Sequence, residues 1–280
     1  FIIDNNIRIV HTHHRLTEIL ALQAIKKIKK NKPSSVFTSL SIVKRKYNIE
    51  YRSDRIIAVS NSVKKMLLNK FSLNKDKITL INNFTDTDEI HDLEIISPRF
   101  RQHGKYFLIL AIGRFHKDKD FETLLKALNL LKRENIGLIL VGEGNNDIDY
   151  RRYIAKKDLN VEIIVPQKNL LRYFLVADIC VLPSTRDPFP NFMLQSGLHR
   201  VPFIGADVDG IGELIKDSVN GLLFKAGSEQ ELAGKIMKFK NDKSFAETCA
   251  VNLHKDVVNY YTQEFIIPQI EQLYKSLVQR

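Results

Sequence analysis

The sequence predicts an α/β protein with parallel sheets, and three observations support this class. Nine short apolar runs have the length of strands, and nine longer stretches have the apolar spacing of helices. The two kinds of segment mostly alternate, which is typical of the βαβ units that build parallel sheets. Runs such as 107–110 (FLIL) and 138–141 (LILV) are apolar throughout, as strands covered on both faces are.

The predicted elements follow one another along almost the whole chain. The predicted strands are residues 7–11, 35–38, 55–59, 77–81, 106–112, 137–141, 161–165, 178–182 and 201–204. The predicted helices are residues 17–31, 61–71, 120–134, 168–176, 191–199, 210–216, 228–240, 244–259 and 263–278. Before residues 222–224 (LLF), Asn220 and Gly221 predict only a turn.

One stretch without helix or strand periodicity divides the chain. It spans residues 87–105 and contains a proline and a glycine. We therefore expect a first domain at 1–95, a linker at 96–105 and a second domain at 106–258. The apolar spacing of the last segment, 259–280, predicts a helix that packs back on the first domain.

The composition is that of a globular protein with a basic first third. The 280 residues are 44% hydrophobic and 27% charged, with a net charge of +11. Of the Lys and Arg residues, 18 lie in the first 100 positions against 10 Asp and Glu. Such a surface favours anionic partners, including a membrane surface, or else is a solvated helix face. Nucleic acid is not expected, because aromatic side chains are not interleaved with the basic ones. The clusters are Lys26, Lys27, Lys29, Lys30 and Lys32, and Lys44, Arg45 and Lys46.

Three further features limit where the protein works. Cys180 and Cys249 lack metal-ligand spacing, and Cys180 lies in an apolar run, which fits a reducing compartment. No apolar run approaches the roughly 18–20 residues of a membrane helix, and no signal peptide is visible. The chain begins with Phe1 rather than Met, so we expect that it lacks its natural start. We expect a cytoplasmic protein, either free or peripheral at the inner face of the membrane.

The ligand site of an open α/β sheet lies outside the carboxyl ends of its strands, which directs attention to the loops. In the loop at 113–121 (GRFHKDKDF), Gly113 permits a tight turn, and Arg114 and Lys119 can converge on one anion. The helix that starts near Asp120 adds its positive end. The alternative is a set of surface charges at an ordinary turn between strand and helix.

A second loop, within residues 183–198 (PSTRDPFPNFMLQSGL), joins a strand to a helix. Two prolines remove backbone donors there, which leaves the amides of Phe189 and Asn191 for a ligand. Asp187 could accept hydrogen bonds from sugar hydroxyls, and Gln195 could bond a ribose. The alternative is a plain Asp-Pro turn with Gln195 in solvent.

Three histidines follow the first strand, at positions 11, 13 and 14. No matching cysteine or carboxylate set stands nearby, so we expect no metal. A His that lines a cleft, His13 above all, is the preferred interpretation, and a structural role is the alternative.

Together these motifs resemble the retaining glycosyltransferases of family GT4. The similar motifs, in chain order, are IVHTHH, SDRIIAVSNSVKKML, KITLINNFTD, GRFHKDKDFETLLKAL, VGEG, ADICVLPS, DPFPNFMLQ, GIGELI and NGLLF. The resemblance implies the GT-B fold, with two Rossmann-like doubly wound domains that face a cleft. The family's opening βα units have no counterpart here, so the first domain is expected to be incomplete.

The resemblance also implies roles for individual residues. Arg114 and Lys119 would hold the donor diphosphate and stabilise the leaving group, with Asp187 near the transferred sugar. The donor-binding residues would be Gly113, Glu143, Gln167, Phe189, Pro190, Asn191 and Gln195.

The chain departs from the family pattern at several of these positions. Asp187 and Gln195 stand where the family has glutamates, and Gln offers one acceptor oxygen where a carboxylate offers two. Arg200 replaces a usual Gly, and Leu40 falls where many members have a His in the cleft.

The expected activity is therefore sugar transfer from a nucleotide sugar to an acceptor hydroxyl, with retention and without metal or cofactor. The acceptor would be a saccharide or lipid-linked sugar, as in cell-surface polysaccharide or lipopolysaccharide synthesis. Two alternatives remain open: a nucleotide-sugar epimerase on the same scaffold, and a non-catalytic relative that binds nucleotide sugars.

Overall fold

A computed structural model describes residues 2–43, 50–86, 106–166 and 170–278. The strands are β1 (Ile9–Thr12), β2 (Ser34–Ser39), β3 (Arg55–Ala58), β4 (Ile78–Leu80), β5 (Phe107–Ile112), β6 (Ile136–Val141), β7 (Val161–Ile164), β8 (Ile179–Leu182), β9 (Phe203–Ala206) and β10 (Leu222–Phe224). The helices are α1 (Arg15–Lys27), α2 (Asn61–Asn69), α3 (Phe121–Leu130), α4 (Asp147–Lys157), α5 (Leu171–Phe174), α6 (Asn191–Leu198), α7 (Ile211–Leu214), α8 (Glu229–Asn241), α9 (Lys243–Tyr260) and α10 (Gln263–Val278).

The chain divides into two compact units. Unit 1 comprises Phe1–Asn83 together with Gln263–Arg280, and unit 2 is Phe84–Thr262. At the two ends of unit 2, Thr85 and Thr262 form an isolated parallel bridge, and the amide of Thr85 donates to the carbonyl of Tyr261 at 2.9 Å. The linker predicted at 96–105 lies outside the described residues.

Unit 1 is built on a parallel sheet of four strands in the order β1-β2-β3-β4. The central strands β2 and β3 are almost wholly buried. Helix α10 belongs to this unit and buries Ile266, Leu273 and Leu277. Its tyrosine, Tyr274, donates or accepts a hydrogen bond at 2.6 Å from Nδ1 of His11 in β1.

Helix α1 departs from the usual amphipathic pattern, because its one fully buried side chain is a glutamate. Glu18 accepts hydrogen bonds from the amide of Tyr51 at 2.9 Å and from the amide and hydroxyl of Ser53 at 3.0 and 2.8 Å. Leu16 and Leu20 of the same helix are more than half exposed. Glu18 therefore fixes the segment before β3 by hydrogen bonds rather than by apolar packing.

Unit 2 contains a parallel sheet of six strands in the order β7-β6-β5-β8-β9-β10. Numbered within the unit, this is the Rossmann order 3-2-1-4-5-6, in which the direction of winding reverses between the first and fourth strands. Those strands are β5 and β8. Their pairing is limited to Ile109 with Ile179 and Leu110 with Cys180. The two strands therefore stop pairing before either of them reaches its loop.

The structure corrects the predicted elements at three places. Helix α4 was not predicted, because Tyr150 is its one buried residue and most of its other side chains are polar or charged. Strand β10 was not predicted; it follows the turn predicted at Asn220 and Gly221 and pairs in parallel with β9, and three residues are too few to show a period. The helix predicted at 168–176 is the short α5, with residues 168 and 169 outside the described chain.

Candidate functional site

The loop after β5, residues 113–120, is held in place by one buried aromatic side chain. Phe115 is 1% exposed, and its ring packs edge-on against Phe121 and Tyr150 at centroid distances of 5.9 and 5.3 Å. Its amide donates to the carbonyl of Glu143 at 2.7 Å. With Phe115 held inward, the preceding Arg114 is exposed at the carboxyl edge of the sheet.

Two glycines in the loop after β6 allow that loop to press against the first one. A Cβ on Gly142 would lie 2.1 Å from the carbonyl oxygen of Gly113 and 2.4 Å from the Phe115 ring. A Cβ on Gly144, whose φ is +146°, would lie 2.6 Å from the Phe115 carbonyl oxygen. The loop that carries Arg114 is therefore fixed by backbone contacts that other residues would not permit.

Asp187, in the loop after β8, meets Lys119 across the switch point of the sheet. The Nζ atom of Lys119 lies 2.5 Å from Oδ2 of Asp187, and the hydroxyl of Ser184 lies 3.5 Å from the same oxygen. The amide of Thr185 donates to the carbonyl of Asp118 at 2.9 Å, which ties the two loops together a second time.

The electrostatics of Asp187 bring Arg114 into the same cluster. Burial raises the pKa of the Asp187 carboxyl, while the charge and hydrogen bond of Lys119, then Ser184 and the Arg114 guanidinium, act to lower it. Lys119 and Asp187 are thus in direct contact, and Arg114, exposed in the same loop as Lys119, is near enough for its charge to act on the Asp187 carboxyl. The two cationic side chains can bind a group with two negative charges, and the carboxylate can accept hydrogen bonds from the hydroxyls of a neighbouring group.

Helix α6 begins directly after this loop. Pro190 is its N-terminal boundary residue and makes no side-chain capping bond, so it leaves the first backbone N–H groups of the helix uncapped. Asn191 is exposed, and Gln195, one turn further along the same face, is half-buried. The side chain of Phe189 is turned inward and packs on Tyr261 at a centroid distance of 5.4 Å.

The remaining predicted site residues lie in different places. Gly113 adjoins Lys119, since a Cβ on it would be 3.5 Å from the lysine side chain. Glu143 is exposed in the loop after β6, and Gln167 lies outside the described residues. His13 is exposed in unit 1.

His13 stacks against His11, with ring centroids 4.3 Å apart. His11 is hydrogen-bonded on both ring nitrogens, to Tyr274 at 2.6 Å and to the hydroxyl of Thr38 at 2.7 Å. Burial, and secondarily the neighbouring His13, lowers the pKa of His11 to about 4. His11 is therefore a neutral, structural histidine at pH 7, while His13 is the one open to a ligand.

The sequence analysis missed one polar residue beside the site, Asp209 in the loop after β9. Its carboxylate accepts a hydrogen bond from the amide of Asp187 at 3.1 Å. The next residue, Gly210, donates its amide to the carbonyl of Asp187 at 3.0 Å. The only signal in the sequence was an Asp-Gly pair after a strand, which is common at turns.

Two kinds of feature are absent from the described part of the chain. Among these residues, no group of three or more His, Cys, Asp or Glu side chains is arranged to hold a metal ion. None of the helices described is both long enough and apolar enough to cross a membrane.

Comparison with known proteins relates both units to glycosyltransferases. Residues 93–256 match the family model described as Glycosyl transferases group 1, and residues 1–89 match Glycosyltransferase Family 4. Among curated proteins, the chain is 26% identical to the capsular polysaccharide biosynthesis glycosyltransferase CapM of Staphylococcus aureus over 80% of its own length. It is 28% identical to the uncharacterized glycosyltransferase MJ1607 of Methanocaldococcus jannaschii over 85% of its length. The chain spans 62% and 64% of these two relatives.

Solved structures show the same fold. A glycosyltransferase from Rickettsia africae ESF-5 superposes with a TM-score of 0.83 at 19% identity, covering 100% of this chain and 79% of that one. Anabaena Alr3699/HepE in complex with UDP-glucose gives a TM-score of 0.83 at 20% identity, covering 96% and 79%. The predicted resemblance to GT4 enzymes and the GT-B fold with two Rossmann-like domains are thereby confirmed. Because the first family model matches more than half of its residues, this chain belongs to the glycosyl transferases group 1 family.

Proposed function

We propose that the protein is a retaining, metal-independent glycosyltransferase that moves a sugar from a nucleoside diphosphate to an acceptor hydroxyl. The observation that supports it most is the contact between Lys119 and Asp187 at the switch point, next to the start of α6, with the charge of Arg114 acting on the same carboxylate. Doubly wound sheets bind nucleotides at this point. Family membership and the neighbours solved with UDP and UDP-glucose point the same way.

The proposed chemistry depends on charge. As the bond between the sugar C1 and the diphosphate oxygen breaks, negative charge grows on the diphosphate. Arg114, Lys119 and the N–H groups at the start of α6 would stabilise that charge. Asp187 would accept hydrogen bonds from sugar hydroxyls, and Gln195 would bond the ribose. The acceptor oxygen forms the new bond to C1, and its proton passes to the departing diphosphate oxygen.

The proposed acceptor is a saccharide or a lipid-linked sugar. CapM, whose name places it in capsular polysaccharide biosynthesis, and the lipopolysaccharide core glycosyltransferase LpsE of Rhizobium meliloti support this class. The exposed lysines of residues 26–32 would favour an anionic membrane surface that carries such an acceptor. His13 is the candidate contact from unit 1.

The test compares Arg114→Ala and Lys119→Ala with Lys117→Ala, an exposed lysine in the same loop. UDP-glucose and UDP-N-acetylglucosamine serve as probes, with donor affinity measured by calorimetry and turnover by release of UDP. Each of the first two changes should weaken binding or turnover about 10- to 100-fold, since a charge-assisted hydrogen bond contributes about 1.5–3 kcal/mol. Lys117→Ala should match the wild type.

Unchanged affinity and rate in both site variants would contradict the assignment. The configuration of the product, read by NMR, tests retention, and activity in EDTA tests independence from metal. An epimer formed from the donor without acceptor would support the epimerase instead. Binding without any turnover would support a non-catalytic relative.

A further inference from the structure

The backbone of Asp187 is held from both sides by one short loop. Its amide donates to Oδ2 of Asp209 at 3.1 Å, and its carbonyl accepts from the amide of Gly210 at 3.0 Å. The first of these bonds depends on a side chain, whereas the second depends only on backbone. Of these two hydrogen bonds, only the one from the Asp187 amide to Asp209 can be removed by substituting a side chain.

Asp209 occupies a backbone position that suits glycine better. Its φ is +41°, in the left-handed region that L-residues other than Asn and Asp rarely adopt. The adjacent Gly210 approaches the backbone of the Asp187 loop closely, because a Cβ there would lie 1.9 Å from the carbonyl oxygen of Pro188. The loop thus carries an aspartate, one of the few side chains that tolerate this conformation, at the position from which its carboxylate reaches the Asp187 amide.

The charges around the pair are mixed. Asp209 faces Arg186, Asp187 and Glu213, and burial raises its pKa while the Asp187 amide and Arg186 lower it. Asp187 faces Lys119 and Arg114 from the loop after β5. The carboxylates of Asp187 and Asp209 are therefore near enough to repel each other. The hydrogen bond that the Asp209 carboxylate accepts from the Asp187 amide offsets part of this repulsion.

We propose that Asp209 is a positioning residue, which holds the carboxylate of Asp187 opposite Lys119 by fixing the Asp187 amide. This inference rests on the proposed function, because it concerns the placement of a group in the proposed donor site. Asp209 itself would touch neither sugar nor phosphate.

Two variants separate the hydrogen bond from the charge. Asp209→Asn removes the charge but keeps an acceptor oxygen, and Asn tolerates the left-handed conformation. Asp209→Gly removes the acceptor and relieves the backbone, so the fold should survive. Asp158→Gly is the matched control, since Asp158 has a φ of +50° and a side chain that is 95% exposed.

The first readout is the titration of the Asp187 carboxyl, followed by NMR on the protein without donor. Asp209→Asn should lower the pKa of Asp187, because a nearby negative charge is lost. Asp209→Gly should give a higher pKa than Asp209→Asn, because the carboxylate moves away from Lys119. Equal Asp187 pKa values in these two variants would overturn the inference.

The second readout is turnover of UDP-glucose. We expect Asp209→Asn to retain most of the wild-type kcat, Asp209→Gly to lose roughly tenfold in kcat with a smaller change in KM, and Asp158→Gly to match the wild type. Equal rates in the two Asp209 variants would also overturn the inference. If the wild type neither binds nor turns over nucleotide sugars, the proposed function fails, while the titration still decides the role of Asp209.

Discussion

Lys119 and Asp187, 68 positions apart in sequence, form an ion pair of 2.5 Å that joins the first and fourth strands of the second sheet through their loops. The aspartate side chain is 8% exposed and the lysine side chain 23%. A carboxylate so deeply placed depends on its cation, so the pair fixes both the geometry and the charge of the candidate site.

Replacing Asp187 by Asn should change how stability depends on pH. Burial raises the pKa of Asp187 above its ordinary value of 3.8, although Lys119 opposes the shift. Between the two values the folded protein keeps a proton that the unfolded chain has released, so the free energy of unfolding falls as pH rises. Because Asp187→Asn lacks this group, its free energy of unfolding relative to the wild type should rise as pH increases from the ordinary value of 3.8 to the raised pKa of the folded protein.

Urea unfolding at several pH values measures that difference. Asp158→Asn is the control, because its side chain is 95% exposed. If the curves of Asp187→Asn and wild type run parallel with pH, the Asp187 pKa is not raised in the folded protein.

Gly210→Ala should destabilise unit 2 and disturb the site. The new Cβ would lie 1.9 Å from the Pro188 carbonyl oxygen, which is backbone and has no flexible end to move. We expect a loss of about 1–3 kcal/mol, as for an overpacked interior position, with weaker binding of UDP.

Gly234→Ala is the matched control for this change. Gly234 lies inside helix α8, and a Cβ there meets nothing within 4 Å. This substitution should raise the free energy of unfolding by about 0.5–1 kcal/mol. Equal effects of the two substitutions would show that the close approach at Gly210 does not constrain the loop.

Unit 1 should lose stability below neutral pH through His11. Its folded pKa of about 4 lies below the ordinary value of 6.5, so on acidification the unfolded chain binds a proton first. Stability is therefore complete above pH 6.5 and decreases towards pH 4, by at most about 3 kcal/mol before solvent screening. Hydrogen exchange of β1 and β2 amides at pH 7 and 5 measures this decrease.

The variant His11→Gln should flatten that pH dependence. His116→Gln, at an exposed position in unit 2, should leave the exchange of β1 and β2 unchanged. If His11→Gln and wild type respond equally to acid, another group is responsible for the loss.

Gln195→Glu should tighten the binding of UDP by roughly three- to tenfold if Gln195 faces the ribose, because a carboxylate accepts hydrogen bonds with both oxygens. Calorimetric titration with UDP measures this effect. Gln230→Glu, at an exposed position of α8, is the control for the added charge. Weaker or unchanged binding would mean that Gln195 does not contact the nucleotide.

Much of the fold could be predicted because each strand is marked by a short apolar run in the sequence. The apolar runs of β5 and β6 are visible in any short window, and their alternation with helices specifies parallel sheets. Helix α4 could not be seen this way, since it is held mainly by Tyr150 and by acidic residues at its start with lysines at its end. Glu18 is a similar case, because a buried glutamate contradicts the pattern that predicts helix faces.

The residues of the candidate site could be predicted from the sequence, but the contacts between them could not. Arg114, Lys119 and Asp187 were identified as loop residues after strands, where ligands bind. Lys119 contacts Asp187 because β5 and β8 are adjacent in the sheet. Strand order determines this adjacency, and neither loop sequence reveals it. Asp209 was missed for the same reason, because its partner is a backbone amide in another loop.

The pairing of Thr85 with Thr262 has a consequence for how the protein is made. The chain leaves unit 1, completes unit 2 and returns at almost the same point. During synthesis, unit 2 is therefore complete and able to fold while the helix that finishes unit 1 is still being made. Helix α10, whose Tyr274 contacts His11 of β1, is made after unit 2, so unit 1 is the unit that receives its last residues last.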